Sequence, residues 1–251
     1  MDLDATWWLF FAVGVAAQLV DGALGMAFGV TATTFLLSFG VAPAQASAMV
    51  HIAEMFTTAA SGTSHWAQRN IDWAIVRRLA IPGAIGGAAG ATLLSNIDGK
   101  IIAPFVAVYL AAMGVVILFK AIKLSVRMQP NWRGMPVVGF FGGLLDAIGG
   151  GGWGPIVTST LIGGGHTPRF VIGSVNLTEF FVTVVTSVAF VLSLGVMDIL
   201  PVIPFILGGV LIAPFAGFLT RAIPTRPLMA IVGCIVLALS ARTLLKLLGW
   251  L

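Results

Sequence analysis

The chain has 251 residues, of which 59% are hydrophobic and only 9% are charged, and its mean hydropathy is +1.06. One soluble core of this length cannot bury so much apolar surface, which excludes a soluble globular protein and indicates an integral membrane protein. The net charge of +4 does not indicate nucleic-acid binding, because the Lys and Arg residues are scattered over short loops. The apolar segments are too long and unbroken for alternating ten-residue strands, so we expect a helical bundle.

The first half of the chain is predicted to form a broken hairpin followed by three membrane helices. The apolar stretch 6–39 is too long for one span and is broken near Asp21 to Gly25, which leaves about 15 residues in each arm. This length fits either a re-entrant hairpin or a broken helix shielded by protein. The first repeat, 1–119, then continues with helices at 44–67, 76–95 and 101–119, and a basic cytoplasmic linker follows at 120–133.

The second half, 134–251, is predicted to repeat this organisation, with a hairpin at 135–163 and helices at 169–194, 199–220 and 227–247. An ungapped comparison of 14–58 with 139–183 gives 13 identities in 45 positions, among them Asp21 with Asp146, Pro43 with Pro168 and Glu54 with Glu179. Shared apolar composition does not readily place Asp, Pro and Glu in register. The two halves are therefore interpreted as repeats that form one transport unit.

Loop charges predict that the two repeats are inverted relative to each other. The middle loop of the first repeat is basic, with Arg69, Arg77 and Arg78, whereas the corresponding loop of the second repeat has only Asp198. By the positive-inside rule, equivalent loops then lie on opposite sides of the membrane, with the central linker in the cytoplasm. We expect an all-α polytopic membrane protein of two inverted-topology repeats, each a broken helical hairpin plus three transmembrane helices.

The segment Asp146-Ala-Ile-Gly-Gly-Gly-Gly-Trp153-Gly154-Pro155 is the most unusual part of the sequence. Four consecutive glycines interrupt an apolar run and let the backbone approach a ligand closely. Non-helical backbone at membrane depth must be buried in protein or line a polar cavity. Pro155 suits the first turn of a returning half-helix, whose positive dipole end would face the glycines. Two such ends are predicted to form a pocket for a small anion, with tight glycine packing as the alternative.

Candidate substrate-binding residues come from the two breaks and from polar positions near them. The glycines offer backbone N–H groups and close approach, and the other residues offer neutral donors or an aromatic wall. The threonines have a structural alternative, because hydroxyls in membrane helices often bond to their own backbone. The predicted substrate-binding set is Gln18, Gly25, Thr33, Gly150, Gly151, Gly152, Trp153, Gly154, Thr158 and Asn176.

Two aspartates precede the breaks, and both lie in apolar surroundings. Asp21 and Asp146 are interpreted either as caps of the returning half-helices or as proton-coupling groups. Intramembrane carboxylates are costly to bury and usually serve function.

A second group of polar residues lies on the helix that follows each hairpin. His51 with Glu54, and Asn176 with Glu179, are each three residues apart and so share a helix face. They are interpreted as buried structural pairs or as a proton relay in which His51 titrates near neutrality. No metal site is expected, because no second His follows at helical spacing.

The sequence has no nucleophile with a matched base, no nucleotide-binding glycine pattern and no soluble segment large enough for an ATPase. We therefore expect neither an enzyme nor a cofactor. Transport must draw its energy from an ion gradient, from the gradient of the substrate or from a separate subunit.

These motifs resemble the TauE/SafE family of sulfite and organosulfonate exporters (4-toluene sulfonate uptake-type permeases). The resemblance runs from Gly14-Val-Ala-Ala-Gln-Leu-Val-Asp21 through the glycine-rich segment to Asn176 and Glu179. It implies export of sulfite, sulfoacetate or a related C2 organosulfonate across the bacterial cytoplasmic membrane. The first half departs from the glycine-rich pattern at Met26 and Ala27, so the second hairpin is preferred for ligand contact.

The predicted mechanism is secondary transport by alternating access, with the substrate held between the two hairpin tips near the bilayer midplane. An anion channel through the same pocket and a membrane-embedded accessory subunit are the alternatives. The expected partners are a small anionic substrate and the lipid bilayer, but no nucleic acid. The sequence leaves the coupling ion, the transport direction and the oligomeric state open, a homodimer included.

Overall fold

The computed structural model describes residues 3–122, 133–196, 198–216, 218 and 225–250. All regular secondary structure in these residues is helical. Four helical stretches are long and apolar enough to cross a membrane, namely Thr6–Leu24, Gly99–Ile122, Pro168–Leu194 and Met229–Leu247. The predicted fold class, an all-α polytopic membrane protein, is confirmed.

The first half forms five helices, which are α1 at Leu3–Leu24, α2 at Phe28–Ser38, α3 at Pro43–Ala67, α4 at Trp73–Ser95 and α5 at Gly99–Ile122. The arms of the first hairpin are less equal than the sequence suggests, because α1 has 22 residues and α2 has 11. The reason is that α1 continues through Asp21 and ends only at Leu24, before Gly25 takes a left-handed conformation. Lys120, predicted to begin the linker, lies in the last turn of α5, and most of the predicted linker is outside the described residues.

The described residues of the second half include five helices. They are α6 at Met135–Gly149, α7, α8 at Pro168–Leu194, α9 at Ile203–Ile212 and α10 at Thr225–Leu247. Helix α7 begins as a π-helical turn at Gly154–Thr158 and continues at Ser159–Gly163. The helix predicted at 199–220 is less regular, with 3₁₀ turns on both sides of α9, where Pro201 and Pro214 lack the backbone donor.

Apolar side chains cover the outside of the bundle, and polar side chains lie inside it. Ile81, Phe105 and Leu192 are 69%, 66% and 82% exposed, whereas Gln18 and Asn176 are fully buried. An apolar outer surface suits contact with lipid tails, and buried polar groups inside such a bundle mark the region in which function is expected.

Each hairpin packs on a helix of the other half. Helix α1 lies along α9, and α6 lies along α4. Glycines allow this close approach, because a Cβ on Gly14 would lie 2.6 Å from the carbonyl oxygen of Phe205, and one on Gly139 would lie 3.0 Å from that of Leu79. Gly14 matches Gly139 at a shift of 125 residues, and Leu79 matches Phe205 at a shift of 126. Matched residues therefore make matched contacts between the halves.

The same correspondence extends to the loop that precedes α4 and the loop that precedes α9. A carboxylate oxygen of Asp72 accepts the backbone N–H of Ala74 at 2.8 Å, and one of Asp198 accepts that of Leu200 at 2.9 Å. Asp72 and Asp198 also match at the shift of 126 residues.

Contacts between loops show which helix ends share a face of the bundle. Arg169, in the first turn of α8, donates to Oδ1 of Asn70 at 2.5 Å and to the carbonyl oxygen of Gln68 at 3.0 Å, so the loop after α3 adjoins the start of α8. Arg242, near the end of α10, donates to the carbonyl oxygen of Ser38 at 3.5 Å. Each of these contacts joins an end of a helix in one half of the chain to a helix end or loop in the other half. The membrane orientation itself stays a prediction.

Replacing Gly86 with Ala is expected to destabilise the packing of α4 on α6, because a Cβ there would overlap the carbonyl oxygen of Phe140. Overpacking of this kind costs about 1–3 kcal/mol and should lower the thermal unfolding midpoint of the purified protein in detergent. Gly163→Ala is the matched control, since no heavy atom of the described residues lies within 4 Å of the added Cβ. Equal midpoints for the two variants would contradict the close packing of these helices.

Candidate functional site

The backbone leaves the helical path at matched positions in the two hairpins. Gly25 follows α1 with φ at +64°, and Gly150 follows α6 with φ at +66°. This left-handed conformation favours glycine over residues that carry a Cβ. We call 25–27 the first break and 150–153 the second break; helix resumes with Phe28 in one hairpin and Gly154 in the other.

The two breaks are in direct contact, as expected for hairpin tips that meet. A Cβ on Gly29 would lie 2.9 Å from the Cα of Gly151. A Cβ on Gly154 would overlap Met26 and the carbonyl oxygen of Gly25. The hairpins thus touch backbone to backbone, with no space for a side chain at these positions.

Two threonines join the breaks through reciprocal hydrogen bonds. The hydroxyl of Thr158 donates to the carbonyl oxygen of Gly25 at 2.8 Å, and that of Thr33 donates to the carbonyl oxygen of Gly150. The two threonines match at the shift of 125 residues, and so do the two glycines. Each half therefore donates one hydrogen bond to the other half and accepts the equivalent bond from it. The hydroxyl protons expected to bind a substrate oxygen are committed to these carbonyls, which gives Thr33 and Thr158 a structural role.

The two aspartates tie the arms of their own hairpins across the breaks. Oδ1 of Asp146 accepts the backbone N–H of Trp153 at 2.9 Å, and the carboxylate of Asp21 accepts that of Phe28. Each carboxylate comes from the last turn of the arriving helix and meets the start of the returning one. This is capping, one of the two roles considered from the sequence, and a carboxylate at this position is favoured by the positive end of the helix dipole when it is ionised.

His51, on α3, pairs with an aspartate from the other half of the chain. Its Nε2 is 3.2 Å from Oδ2 of Asp146. Its Nδ1 is 2.8 Å from the carbonyl oxygen of Ser47 and 3.4 Å from the Ser47 hydroxyl. That hydroxyl donates to the carbonyl oxygen of Ala147 at 2.6 Å, so α3 and α6 are joined at two neighbouring points.

Asn176 occupies the matching position on α8 and makes the matching bond within its helix. Its Nδ2 donates to the carbonyl oxygen of Ile172 at 3.1 Å. In the same way, Nδ1 of His51 lies beside the carbonyl oxygen of Ser47, which is also four residues earlier in its helix. Its Oδ1 accepts a hydrogen bond from the Ser61 hydroxyl at 2.7 Å. The far end of the Asn176 side chain therefore contacts the hydroxyl of Ser61, whereas the far end of the His51 ring contacts the carboxyl group of Asp146.

Four buried carboxyl groups gather near the breaks, each at most 5% exposed: Asp21, Glu54, Asp146 and Glu179. They are close enough to repel one another electrostatically. Ligand atoms of His51, Glu54 and Asp146 lie within 4.8 Å of one another, and Oε2 of Glu54 is buried without a hydrogen-bond partner among the described residues. The sequence argument against a metal considered spacing along α3 alone and did not anticipate the third group, which comes from α6. The absence of a metal stays a prediction.

Gln18 and Trp153 are both fully buried but have different surroundings. Neither amide atom of Gln18 has a hydrogen-bond partner in the part of the chain that the structure describes. Trp153 donates from Nε1 to the carbonyl oxygen of Val175 at 3.4 Å, and its ring lies against Gly83. Gln18 thus has unused hydrogen-bonding capacity among the described residues, whereas Trp153 packs inside the protein.

Tyr109, on α5, contacts the second break and was not singled out by the sequence analysis. A Cβ on Gly149 would overlap its ring, and one on Gly152 would overlap its hydroxyl. The hydroxyl oxygen is buried and has no hydrogen-bond partner among the described residues. One sequence signal was present, since Tyr109 is the single tyrosine of the chain and lies in an apolar helix.

A surface cleft of about 400 Å³ is lined by Ile71, Asp72, Trp73, Ala74, Arg77 and Phe170. This lining includes none of the predicted site residues. The cleft is therefore not the pocket expected between the hairpin tips.

Comparison with known proteins identifies the family. The family model described as sulfite exporter TauE/SafE matches residues 10–243. The chain belongs to the TauE/SafE family. A relative in Bacillus subtilis (strain 168), named probable membrane transporter protein YtnM, is 39% identical over 247 residues, which cover 95% of this chain and 82% of that protein. No solved structure matches the chain.

The resemblance drawn from the two Asp–Gly segments is thereby confirmed. This TauE/SafE protein is a polytopic membrane transporter. Both breaks and all four buried carboxyl groups lie within the matched residues 10–243.

Replacing Thr158 with Val is expected to weaken the contact between the breaks, because the buried carbonyl group of Gly25 loses its donor. An unsatisfied buried carbonyl costs about 1–3 kcal/mol. Thr160→Val is the matched control, since that hydroxyl is exposed and bonds to Ile156 within its own helix. Thermal unfolding of the purified variants measures the difference, and an equal loss of stability in both would argue against the reciprocal bond.

Proposed function

We propose that this TauE/SafE protein is a secondary transporter that exports a small sulfur-containing anion across the bacterial cytoplasmic membrane. The expected substrate is sulfite, sulfoacetate or a related C2 organosulfonate. The observation that carries the proposal is the direct contact between two glycine breaks among buried polar groups of a membrane protein. The family match and the similarity to a probable membrane transporter support the transport class rather than an enzyme.

Peptide dipoles are the proposed source of positive potential at the breaks. Helices α2 and α7 both begin there, so their first N–H groups and positive dipole ends lie beside the contact. The amide of Gln18 and the hydroxyl of Tyr109 add donors whose hydrogen-bonding capacity is unused among the described residues. A sulfonate or sulfite has three oxygens, and several donors around one position can bind them.

The same contact explains how access would alternate. Because the breaks touch backbone to backbone, a substrate enters only when the hairpins move apart. Matched residues of the two halves make matched contacts. A movement of one half relative to the other can therefore produce two equivalent states, each open to one side of the membrane. We therefore propose inverted repeats, with the loop after α3 and the start of α8 in the cytoplasm. The contacts of Arg169 with the loop after α3 support this arrangement.

Flux measurements on the purified protein in proteoliposomes test the function. A carrier should give saturable uptake of labelled sulfite or sulfoacetate, stimulated by unlabelled anion on the opposite side, because its site faces one side at a time. Unitary currents without counter-transport would indicate the anion channel instead. Absence of flux from protein that unfolds cooperatively on heating would favour the accessory-subunit alternative and end the transporter proposal.

Replacing Tyr109 with Phe is expected to separate binding from folding. Its hydroxyl has no partner among the described residues, so the variant should unfold at the same temperature as the wild type or a higher one. If the hydroxyl binds the anion, losing a hydrogen bond to a charged group costs about 1.5–3 kcal/mol, or roughly tenfold to a hundredfold in affinity.

The measurement for Tyr109→Phe is the rise in unfolding temperature with increasing sulfite or sulfoacetate. Thr160→Val also removes a hydroxyl, but an exposed one, and should keep the full rise. A full rise in Tyr109→Phe would show that the hydroxyl takes no part in binding.

A further inference from the structure

The surroundings of His51 determine which ring nitrogen carries hydrogen. Nδ1 faces two acceptors: the carbonyl oxygen of Ser47 at 2.8 Å cannot donate, and the Ser47 hydroxyl at 3.4 Å gives its own proton to Ala147. A ring nitrogen between two acceptors must itself be the donor. Nε2 is therefore the nitrogen that exchanges protons, and it faces Oδ2 of Asp146 at 3.2 Å.

One proton must lie between Nε2 and Oδ2, because two lone pairs at this distance would repel. The pair is then neutral overall, as imidazolium with carboxylate or as imidazole with carboxylic acid. It can accept one more proton, which leaves an imidazolium beside a carboxylic acid. The His51–Asp146 pair can thus change its charge by one unit at membrane depth.

Among the residues that the structure describes, the titratable groups around this pair include no cationic side chain. The titratable neighbours are Asp21 on α1, Glu54 on α3, Tyr109 on α5 and Glu179 on α8, and the carboxyl groups are electrostatic neighbours of one another. Lys120 reaches the second hairpin, but it does so at the end of α5, where Nζ donates to the carbonyl oxygen of Pro155 at 3.4 Å. An anion entering the breaks is therefore disfavoured unless a positive charge arrives with it.

We propose that the His51–Asp146 pair binds a proton that crosses the membrane together with the substrate anion. The inference rests on the proposed transport function and names its coupling ion. The pair takes up its second proton from the side at which the anion enters and releases it to the side at which the anion leaves. For a monoanion the two charges cancel, so transport moves no net charge.

Asp146 connects this proton to the shape of the second hairpin. Its Oδ2 faces His51, while its Oδ1 accepts the backbone N–H of Trp153 where the returning helix starts. An ionised carboxylate accepts a stronger hydrogen bond than a neutral carboxylic acid does. In the doubly protonated pair Asp146 is a carboxylic acid, so its cap on α7 is weaker than in the imidazolium–carboxylate form, and the second break is then freer to make the movement that admits the anion.

The first hairpin has the cap but not the proton site. Asp21 binds the N–H of Phe28 as Asp146 binds that of Trp153, yet Asn176 stands where His51 would be. The amide of Asn176 does not titrate, and its Oδ1 is bonded to Ser61. The structure therefore assigns the coupled proton to the second hairpin.

The ratio of protons to anions carried into proteoliposomes tests this inference. The probe is 2-hydroxyethanesulfonate, a C2 organosulfonate whose sulfonate stays ionised, so the counted protons do not come from the substrate. An internal pH dye and labelled anion should report about one proton per anion for the wild type, with or without a metal chelator. His51→Asn installs the residue that the second half uses at the matching position, and it should bring the ratio to about zero. His166→Asn is the matched control and should keep the wild-type ratio.

Three results would overturn the inference. The first is a wild-type ratio in His51→Asn, and the second is wild-type anion flux without proton movement. The third is a ratio that collapses when metal is chelated, because a metal ion held by His51, Glu54 and Asp146 would then supply the charge.

Nitrogen NMR of the three histidines tests the proton site without any flux. The signal missing from His51→Asn identifies His51. Its Nδ1 should stay protonated at every pH, and the chemical shift of Nε2 should change when the pair binds its second proton, because either Nε2 itself or its partner Oδ2 then gains that proton. A bare Nδ1 or a constant Nε2 chemical shift would refute the pair as a proton carrier.

If His51→Asn transports no anion, its proton-to-anion ratio cannot be measured, and the NMR spectrum of the wild type then tests the proton site. The spectrum also distinguishes a failure of the proposed substrate from a failure of the proposed proton site. The expected titration in a protein that carries none of the offered anions places the failure with the proposed substrate, and normal anion transport with the wrong tautomer places it with the proton site.

Discussion

Lipid cannot hydrogen-bond to a polypeptide backbone, so a chain that breaks its helices inside a membrane must supply the missing partners itself. In this protein, each hairpin supplies hydrogen-bond donors to the backbone of the other hairpin's break. The carbonyl groups of Gly25 and Gly150 are bonded by threonines of the opposite half, and the first N–H groups of the returning helices are bonded by Asp21 and Asp146. Without the other half, each hairpin would have a buried glycine carbonyl group without its hydrogen bond. This is a physical reason for the two halves to pack against each other.

This mutual dependence has a consequence for transport. Moving one hairpin away from the other removes bonds at both breaks at once, so the separated state is costly unless something replaces them. A substrate with several oxygens can accept from freed donors, and a bound ligand shifts a conformational equilibrium only by its preference for one state. In the proposed transport cycle, the contact between the breaks therefore both closes the site and makes its opening depend on the ligand.

The sequence predicts features that are set within one segment of the chain, but it does not predict contacts between residues that are far apart in the chain. Asp, Pro and Glu in register predict two corresponding halves, and the glycines predict the breaks, because these signals are local. The length of α1 is missed because Asp21 looks like part of the break but lies in the last helical turn. Distant partners are not predicted: helical spacing shows that His51 and Glu54 share a face, but not that Asp146, 95 residues from His51, faces them.

The differences between the halves are as informative as their similarity, and they concentrate at the second hairpin. Gly151 and Gly152 stand there against Met26 and Ala27 in the first break, and Ala27 is held at φ of +106°, where a Cβ is disfavoured. Glycines have more backbone conformations open to them than Met and Ala do, so the second break can rearrange more easily. His51, the partner of the capping aspartate Asp146, contacts that same hairpin. Under the proposed proton coupling, the charge change therefore acts where the backbone is most able to respond, and the first break is the more constrained surface against which the second would move.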